Sequence, residues 1–595
     1  MPAVLLLLIG WTLVTPAPAS SQDSVVGAVQ QLIEAGRLPR ARWPVFARHL
    51  DAVARLYDDR GGEPVWFVGP VVSREGLGAA AALLQASEHG LDPRDYDAAD
   101  LNETARYSLR APLSATERAR FDVSLTVNLM RFLDDLETGR LHPGTLDRAS
   151  DVRMDLAAAI ASALAGESIP RLVAAVAPQL AQYRNSQRHL ARYRQLAADS
   201  WLELLPVTAP IQRGDPYPGT SALRQRLAAL GDLKADSMGA PGTYGGADER
   251  AVRRFQSRHG LEPTGVLDSA TFAEINVPFA RRVRQLELAL ERLRWLPPIG
   301  RQRFVVVNIP AFRLFAFDSA GGLGVPALSM RVIVGKALDK QTPVLYEQMR
   351  YIELRPYWNV PRSILTEEII PILRRDSAYL SRNDMEVVGA GEDTAGASLT
   401  ANVLERLAAG ELRVRQRPGP ANALGLLKFV FPNAAGVYMH GTPQPELFAH
   451  TRRDFSHGCI RVEDPTALAA WVLRDRPEWP RERIEAAQTV PTTSRAMLTL
   501  PMPVVVFYTT AVASPDGAVW FYSDIYGHDR TLDEALRGGP ASLQTHEGTF
   551  MRTSAGIRHQ RCMVISSARS RLSEVNHDCI DWPFPMEGLP AGLPF

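Results

Sequence analysis

Between residues 22 and 200 apolar side chains recur every three or four positions. Examples are "VVGAVQQLIEAG", "GLGAAAALLQASEHG" and "ERARFDVSLTVNLMRFLDDLETGR". That period lays one apolar stripe along a helix, so the stretch 22–200 is expected to be a helical scaffold domain. Gly90, in "HGLDPRDY", marks a helix stop. Asp134 and Asp135 sit side by side on a predicted helix without matching cations, which reads as a solvated face. A shorter block follows at 215–278. Leu223, Leu227 and Leu230 make one helix, and "DERAVRRFQSRHGLEPTGVLDSATFAEIN" gives a helix, a glycine stop, a Pro-Thr-Gly turn and a helix capped by Asp268. Three small helices in so few residues make a module rather than an enzyme. One longer helix, 279–297, leads out of it.

From residue 301 the period drops to two. "RFVVVNIPAFRLFAFD", "MRVIVGK", "QMRYIEL", "LKFVFP" and "GVYMHGT" are short β-branched and aromatic runs between turn residues. They predict a β-rich domain over 301–475. Residues 364–416 break the pattern and read as helices and a loop inserted between strands. The "VVGAGEDTAG" inside them lacks the third glycine of a dinucleotide fingerprint, where Thr394 stands, and has no βαβ context. "MPVVVFYTTAVASPDGAVWFYSDIYG" predicts a β-hairpin extension within 476–541. Residues 542–595 show little periodicity and read as a tail. The fold class expected is multidomain α+β.

At 595 residues the chain is too long for one core. Its 66 Lys and Arg almost cancel its 65 Asp and Glu, which argues against nucleic acid as a partner. Val4 to Val14 is an apolar run too short to span a bilayer. With Ala17-Pro18-Ala19 behind it, the run reads as a signal peptide over 1–19, although no Lys or Arg precedes it. No other segment is apolar for long enough to be a second span. Export changes how the three cysteines read: if Cys562 and Cys579 pair in an oxidising compartment, Cys459 is left over. His559, Cys562, His577 and Cys579 have no regular ligand spacing, so no metal site is expected.

The remaining thiol lies in "FSHGCIRVED". A nucleophilic cysteine needs its thiolate, a base within reach and N–H donors for an oxyanion. Gly458 lets the backbone turn sharply before Cys459, and Asp464-Pro465 caps the helix that follows. Upstream, "GVYMHGTP" ends a strand at His440, where Tyr438 and His440 face one side. The residues leave alternatives open. Cys459 also reads as a core thiol, His440 as a structural histidine and His457 as a brace of the turn. Trp358 and Tyr438 suit either core or pocket wall, and Arg461 reads equally as a brace for the helix.

His440, a gap of fifteen residues, and then Ser456-His457-Gly458-Cys459-Ile460-Arg461 resemble the signature of the YkuD-type L,D-transpeptidases. "VIVGKALDKQTPV" and "RPYWNVPRSI" are similar to that family's earlier motifs. "AVRRFQSRHGLEPTGVLDSATF" looks like a peptidoglycan-binding domain, and the whole resembles the large periplasmic subgroup of Gram-negative bacteria. The resemblance implies that Cys459 is the nucleophile and His440 its base, with His457 and Gly458 completing the catalytic set. Trp358, Asn359, Tyr438, Ser456 and Arg461 would bind substrate. It implies peptidoglycan stem peptides as donor and acceptor, no cofactor, acylation by carbapenems, and cell-wall synthases or hydrolases as partners. Two rival functions are an L,D-carboxypeptidase and a catalytically silent wall-binding scaffold.

Overall fold

In the computed structural model the residues described are 21–141, 153–166, 168–199, 204–208, 210–234, 241–297, 299–300, 302–319, 326–389, 399–514 and 517–538. The expected signal segment 1–19, residues 390–398, the tail 542–595 and the His559, Cys562, His577 and Cys579 group lie outside them. The described chain divides into two bodies, one of residues up to 137 with 153–177, the other of residues 138–141 and from 178 onward.

The first body is built around the helix Ala115–Thr138, whose Leu125, Leu129, Phe132, Leu133 and Leu136 are fully buried. Shorter helices, among them Leu50–Asp58, Arg74–Leu84 and Ala98–Ser108, pack their apolar stripes on it. Its strands are β1 (Phe67–Val68) and β2 (Val71–Val72), a small hairpin. Gly90 ends a helical turn in the left-handed conformation, at φ 73°. Asp122 is buried and accepts hydrogen bonds from Tyr57 Oη at 2.5 Å and from the Val65 and Trp66 amides, each at 2.8 Å. The acids expected on a solvated face are not solvated. Asp134 is buried against His49 at 3.1 Å and Arg48 at 3.0 Å, and Asp135 accepts from Tyr96 Oη at 2.7 Å. Their partners come from 39 to 86 positions away in sequence, beyond any helical spacing rule.

The expected scaffold boundary at 200 runs past the division between the bodies. The helix Ala181–Ala198 belongs to the second, where Tyr183 meets Arg294 at 3.1 Å and Arg194 meets Glu287 at 2.8 Å on the helix Phe279–Arg294. An amphipathic pattern says that a helix is half-buried, not which neighbour covers it. The module's helices are Thr220–Leu230, Gly246–Arg258 and Ser269–Ile275. Asp268 caps the last through Thr271 N, and the buried Gln256 bridges Val266 O and Thr271 Oγ1, each at 2.9 Å.

The β-rich domain holds β3 (Phe304–Asn308), β4 (Arg313–Phe317), β5 (Leu328–Gly335), β6 (Leu345–Leu354) and β7 (Trp358–Asn359). Then come β8 (Met385–Gly389), β9 (Leu412–Gln416), β10 (Leu427–Val430), β11 (Met439–His440), β12 (Asp454–Ser456), β13 (Ile460–Val462) and β14 (Ser494–Phe507). The main sheet runs β12-β5-β13-β11-β10-β6-β14-β3-β4, and a β4–β5 pairing closes it on itself, with β12 left paired on the β5 side alone. The boundary expected at 475 is therefore too early. β14 lies between β6 and β3, so the sheet is incomplete without it. The register of β14 on β6 shifts between Met497 and Met502, the stretch that contains Pro501. The predicted hairpin is β15 (Ala511–Ala513) with β16 (Val519–Phe521), beginning only after β14.

The insertion is more ordered than expected. It contributes β8 and β9, which join β7 in a second sheet of order β7-β9-β8. Its Ile369, Ile370, Leu373, Leu407, Leu412 and Val414 are buried in the main core. Among the described residues no helix is long and apolar enough to cross a membrane.

Candidate active site

The parallel pairing of β11 with β13 brings the two halves of the candidate site together. Met439 faces Ile460, His440 faces Arg461, and Ile460 N donates to Tyr438 O at 3.1 Å. By alternation Tyr438, His440, Cys459 and Arg461 turn to the same side. The rings of Tyr438 and His440 confirm it, meeting edge to face at 5.7 Å between centroids. His440 Nδ1 lies 2.6 Å from Gly441 O. A carbonyl oxygen only accepts, so Nδ1 carries the proton and Nε2 is the basic nitrogen. Both Cys459 and His440 are fully buried. The Cys459 Sγ lies 4.0 Å from Gly436 O.

Three layers of backbone hold the turn before Cys459. Gly458 has φ 120°, a conformation that side chains resist. Ser456 Oγ donates to Cys459 O at 2.5 Å and accepts from Gly458 N at 3.2 Å. Ser456 is thus a buried clasp of the turn rather than a substrate contact. The Gly458 amide, in the set that the resemblance called catalytic, donates into that clasp. Behind it, Thr342 Oγ1 donates to Gly458 O and accepts from Gly335 N, each at 2.8 Å, while Lys336 N donates to Ser456 O at 2.8 Å. A Cβ on Gly335 would lie 1.9 Å from Lys340 O, so only glycine fits there. Tyr526 Oη, from beyond β14, donates to Gly335 O at 2.5 Å.

His457 is half-buried and its Nε2 meets Glu368 Oε1 at 2.9 Å. That histidine holds the Glu368 carboxyl below its usual pKa. Glu368 stands on a π-helical turn, Leu365–Ile369, a rare form often found at functional sites. Glu367 on the same turn reaches Lys340 at 3.3 Å. The insertion therefore grips both motifs that build the turn.

The remaining expected residues separate. Trp358 is fully buried in the core, not on a pocket wall, because the pairing of β7 with β9 turns it inward. Asn359, its neighbour, is exposed and lines a cavity together with Tyr438. Arg461 is buried and donates to Gln444 Oε1 at 3.1 Å. Sequence reasoning missed Thr342, Glu368 and Tyr526 as parts of the site. Thr342 lay inside a motif already singled out. The other two come from segments with no local signal. Among the described residues no cluster of His, Cys, Asp or Glu is placed to hold a metal ion.

Residues 302–506 match the L,D-transpeptidase catalytic domain, YkuD. Residues 51–190 match a scaffold domain, and 217–275 match a domain described as "Putative peptidoglycan binding domain". A Haemophilus influenzae protein named "Putative L,D-transpeptidase" is 30% identical over 253 residues, 42% of this chain and 49% of that protein. The match thus spans about half the length of this curated relative.

Proposed function

We propose that this chain, which carries an L,D-transpeptidase catalytic domain and a peptidoglycan-binding domain, is an exported transpeptidase of the periplasm that cross-links third-position residues of stem peptides. Cys459 Sγ attacks the carbonyl of the third residue of a donor stem while His440 Nε2 takes the thiol proton. The C–N bond to the terminal D-alanine breaks, the amine leaves with that proton, and a thioester remains. With Gly458 N–H held by Ser456, the Cys459 amide supplies the oxyanion donor. The amine of a second stem then attacks the thioester, His440 accepts its proton, and the thiol is restored. The thioester stores the energy of the released peptide bond, so no nucleotide enters.

The observation that carries this reading is the β11–β13 register, which seats a histidine of defined tautomer beside the cysteine turn. The insertion acts as the lid: it grips the turn through Glu368 and Glu367, and the thiol beneath is buried. A covered thioester favours the acceptor amine over water. Incubating the protein with tetrapeptide stems and weighing both protein and products tests the proposal. A thioester adduct on Cys459 with D-alanine release and dimeric product is expected. Trimmed monomers alone would make the protein an L,D-carboxypeptidase. No adduct and no product would leave the wall-binding scaffold.

A further inference from the structure

A row of charged and titratable residues crosses the main sheet. Arg461 on β13 faces His440 on β11, which faces Lys428 on β10, then Glu353 on β6 and Arg495 on β14. Partners in register put their side chains on one face, about 4.5–5.5 Å apart at Cβ. Beyond His440 this row runs into a cavity of about 310 Å³, near the lower end of small-ligand clefts. Its cations are Lys428, Arg415 and Arg495, against a single lining acid, Glu353.

Each cation lies over a tyrosine ring. Lys428 Nζ is 3.9 Å from the Tyr438 centroid, and the guanidinium carbons of Arg415 and Arg495 are 4.4 Å and 5.1 Å from Tyr357 and Tyr351. A ring face orients a cation without cancelling its charge. Glu353 meets Arg495 at 3.3 Å, and Glu386 meets Arg415 at 2.5 Å. Glu386 also meets Arg417, at 2.7 Å, so two carboxylates serve three guanidinium groups at this end of the cavity. The cavity also reaches Gly436, whose carbonyl lies 4.0 Å from Cys459 Sγ. A residue spans at most about 3.3–3.6 Å of extended chain. A donor peptide lying from the thiol along this row therefore brings a carboxylate within a few residues of the bond under attack to these cations.

We propose that this cavity is a subsite for a carboxylate of the donor peptide, read by Lys428, Arg415 and Arg495. The inference rests on Cys459 acting on stem peptides, and it assigns the cavity the choice of which peptides are presented to the thiol. Two carboxylates have this chemistry: the C-terminal one on the leaving residue, and an in-chain side-chain carboxylate next to the scissile bond.

The test uses the full chain carrying Cys459→Ala, so that peptide is bound and not consumed. Calorimetry compares the free tetrapeptide with two analogues, one amidated at the C-terminus and one at its in-chain carboxylate. One amidation should weaken binding about tenfold, and which one does so identifies the source. Adding Arg495→Gln or Lys428→Met should bring that acid-to-amide ratio to about two or below. The Arg495 side chain is 60% exposed, so its replacement leaves the fold intact. No binding, a ratio near one in the parent, or an unchanged ratio in both variants overturns the subsite. The proposed activity is judged separately, by the Cys459 adduct in the unsubstituted protein.

Discussion

At the scale of single residues the site depends on a few atoms that nothing can replace cheaply. Thr342→Val keeps the shape of the side chain but removes its bonds to Gly458 O and Gly335 N. An unsatisfied buried N–H costs about 1–3 kcal/mol. Acylation by a carbapenem, read by intact mass against time, should slow by roughly tenfold or more, with Thr342→Ser restoring it. His440→Ala should slow the same reaction about 10²–10⁴-fold, the usual worth of a general base. Asp122 gives a pH dependence in the first body. Burial pushes its carboxyl up to about 6, against three hydrogen bonds that pull it down. The native chain keeps this proton above the unfolded pKa of about 3.9, where the unfolded chain loses it. Its contribution to stability is therefore greatest at low pH and falls as pH rises through about 4 to 6, by up to about 3 kcal/mol. The difference in melting temperature between the protein and Asp122→Asn should shrink over that window. Cys459, His440 and Gly458 were legible because the motif is local in sequence. Lys428 and Glu368 were not, since only the sheet register and a folded insertion bring them there.

At the scale of elements the sequence pattern located strands well and their partners poorly. Period two marked β3, β5 and β10, yet nothing in "MPVVVF" says that it inserts between β6 and β3. The insertion was read as helices and a loop because its apolar residues lie on mixed periods, with short helical turns between β7 and β8 and the helix Ala401–Ala409 before β9. Its buried residues show why excising it would strip the core, and why a point change probes the lid better. Glu368→Gln replaces the carboxylate that meets His457 Nε2 with a neutral amide that still offers a hydrogen bond. Cys459 should then react several-fold faster with a small neutral alkylating agent, and the hydrolysed share of turnover should rise. An unchanged product ratio would assign the insertion to docking another protein, the usual alternative for a long inserted segment.

At the scale of the whole molecule, the part that matches the L,D-transpeptidase catalytic domain and the part that matches a peptidoglycan-binding domain are separate stretches of chain, 302–506 and 217–275. Cys459→Ala should abolish D-alanine release and cross-linking while the protein still sediments with peptidoglycan sacculi. Loss of sedimentation in that variant would show that the thiol, not the module of 215–278, anchors the chain. The order of the strands has a consequence for the proposed export, in which the chain would be delivered from its N-terminal side. Val504 pairs with Val305, so β3 waits for about two hundred residues before its parallel neighbour arrives, a late and slow kind of closure. Tyr526, which braces Gly335, arrives later still. Until then Cys459 has been delivered, but the turn that holds it lacks part of its frame. A chain ending at Thr493 should remain unreactive toward a carbapenem, although Cys459 and His440 are both present. On the proposed reading delivery itself would act as a timer: no thioester would form on a partly exported chain, where only water would receive it.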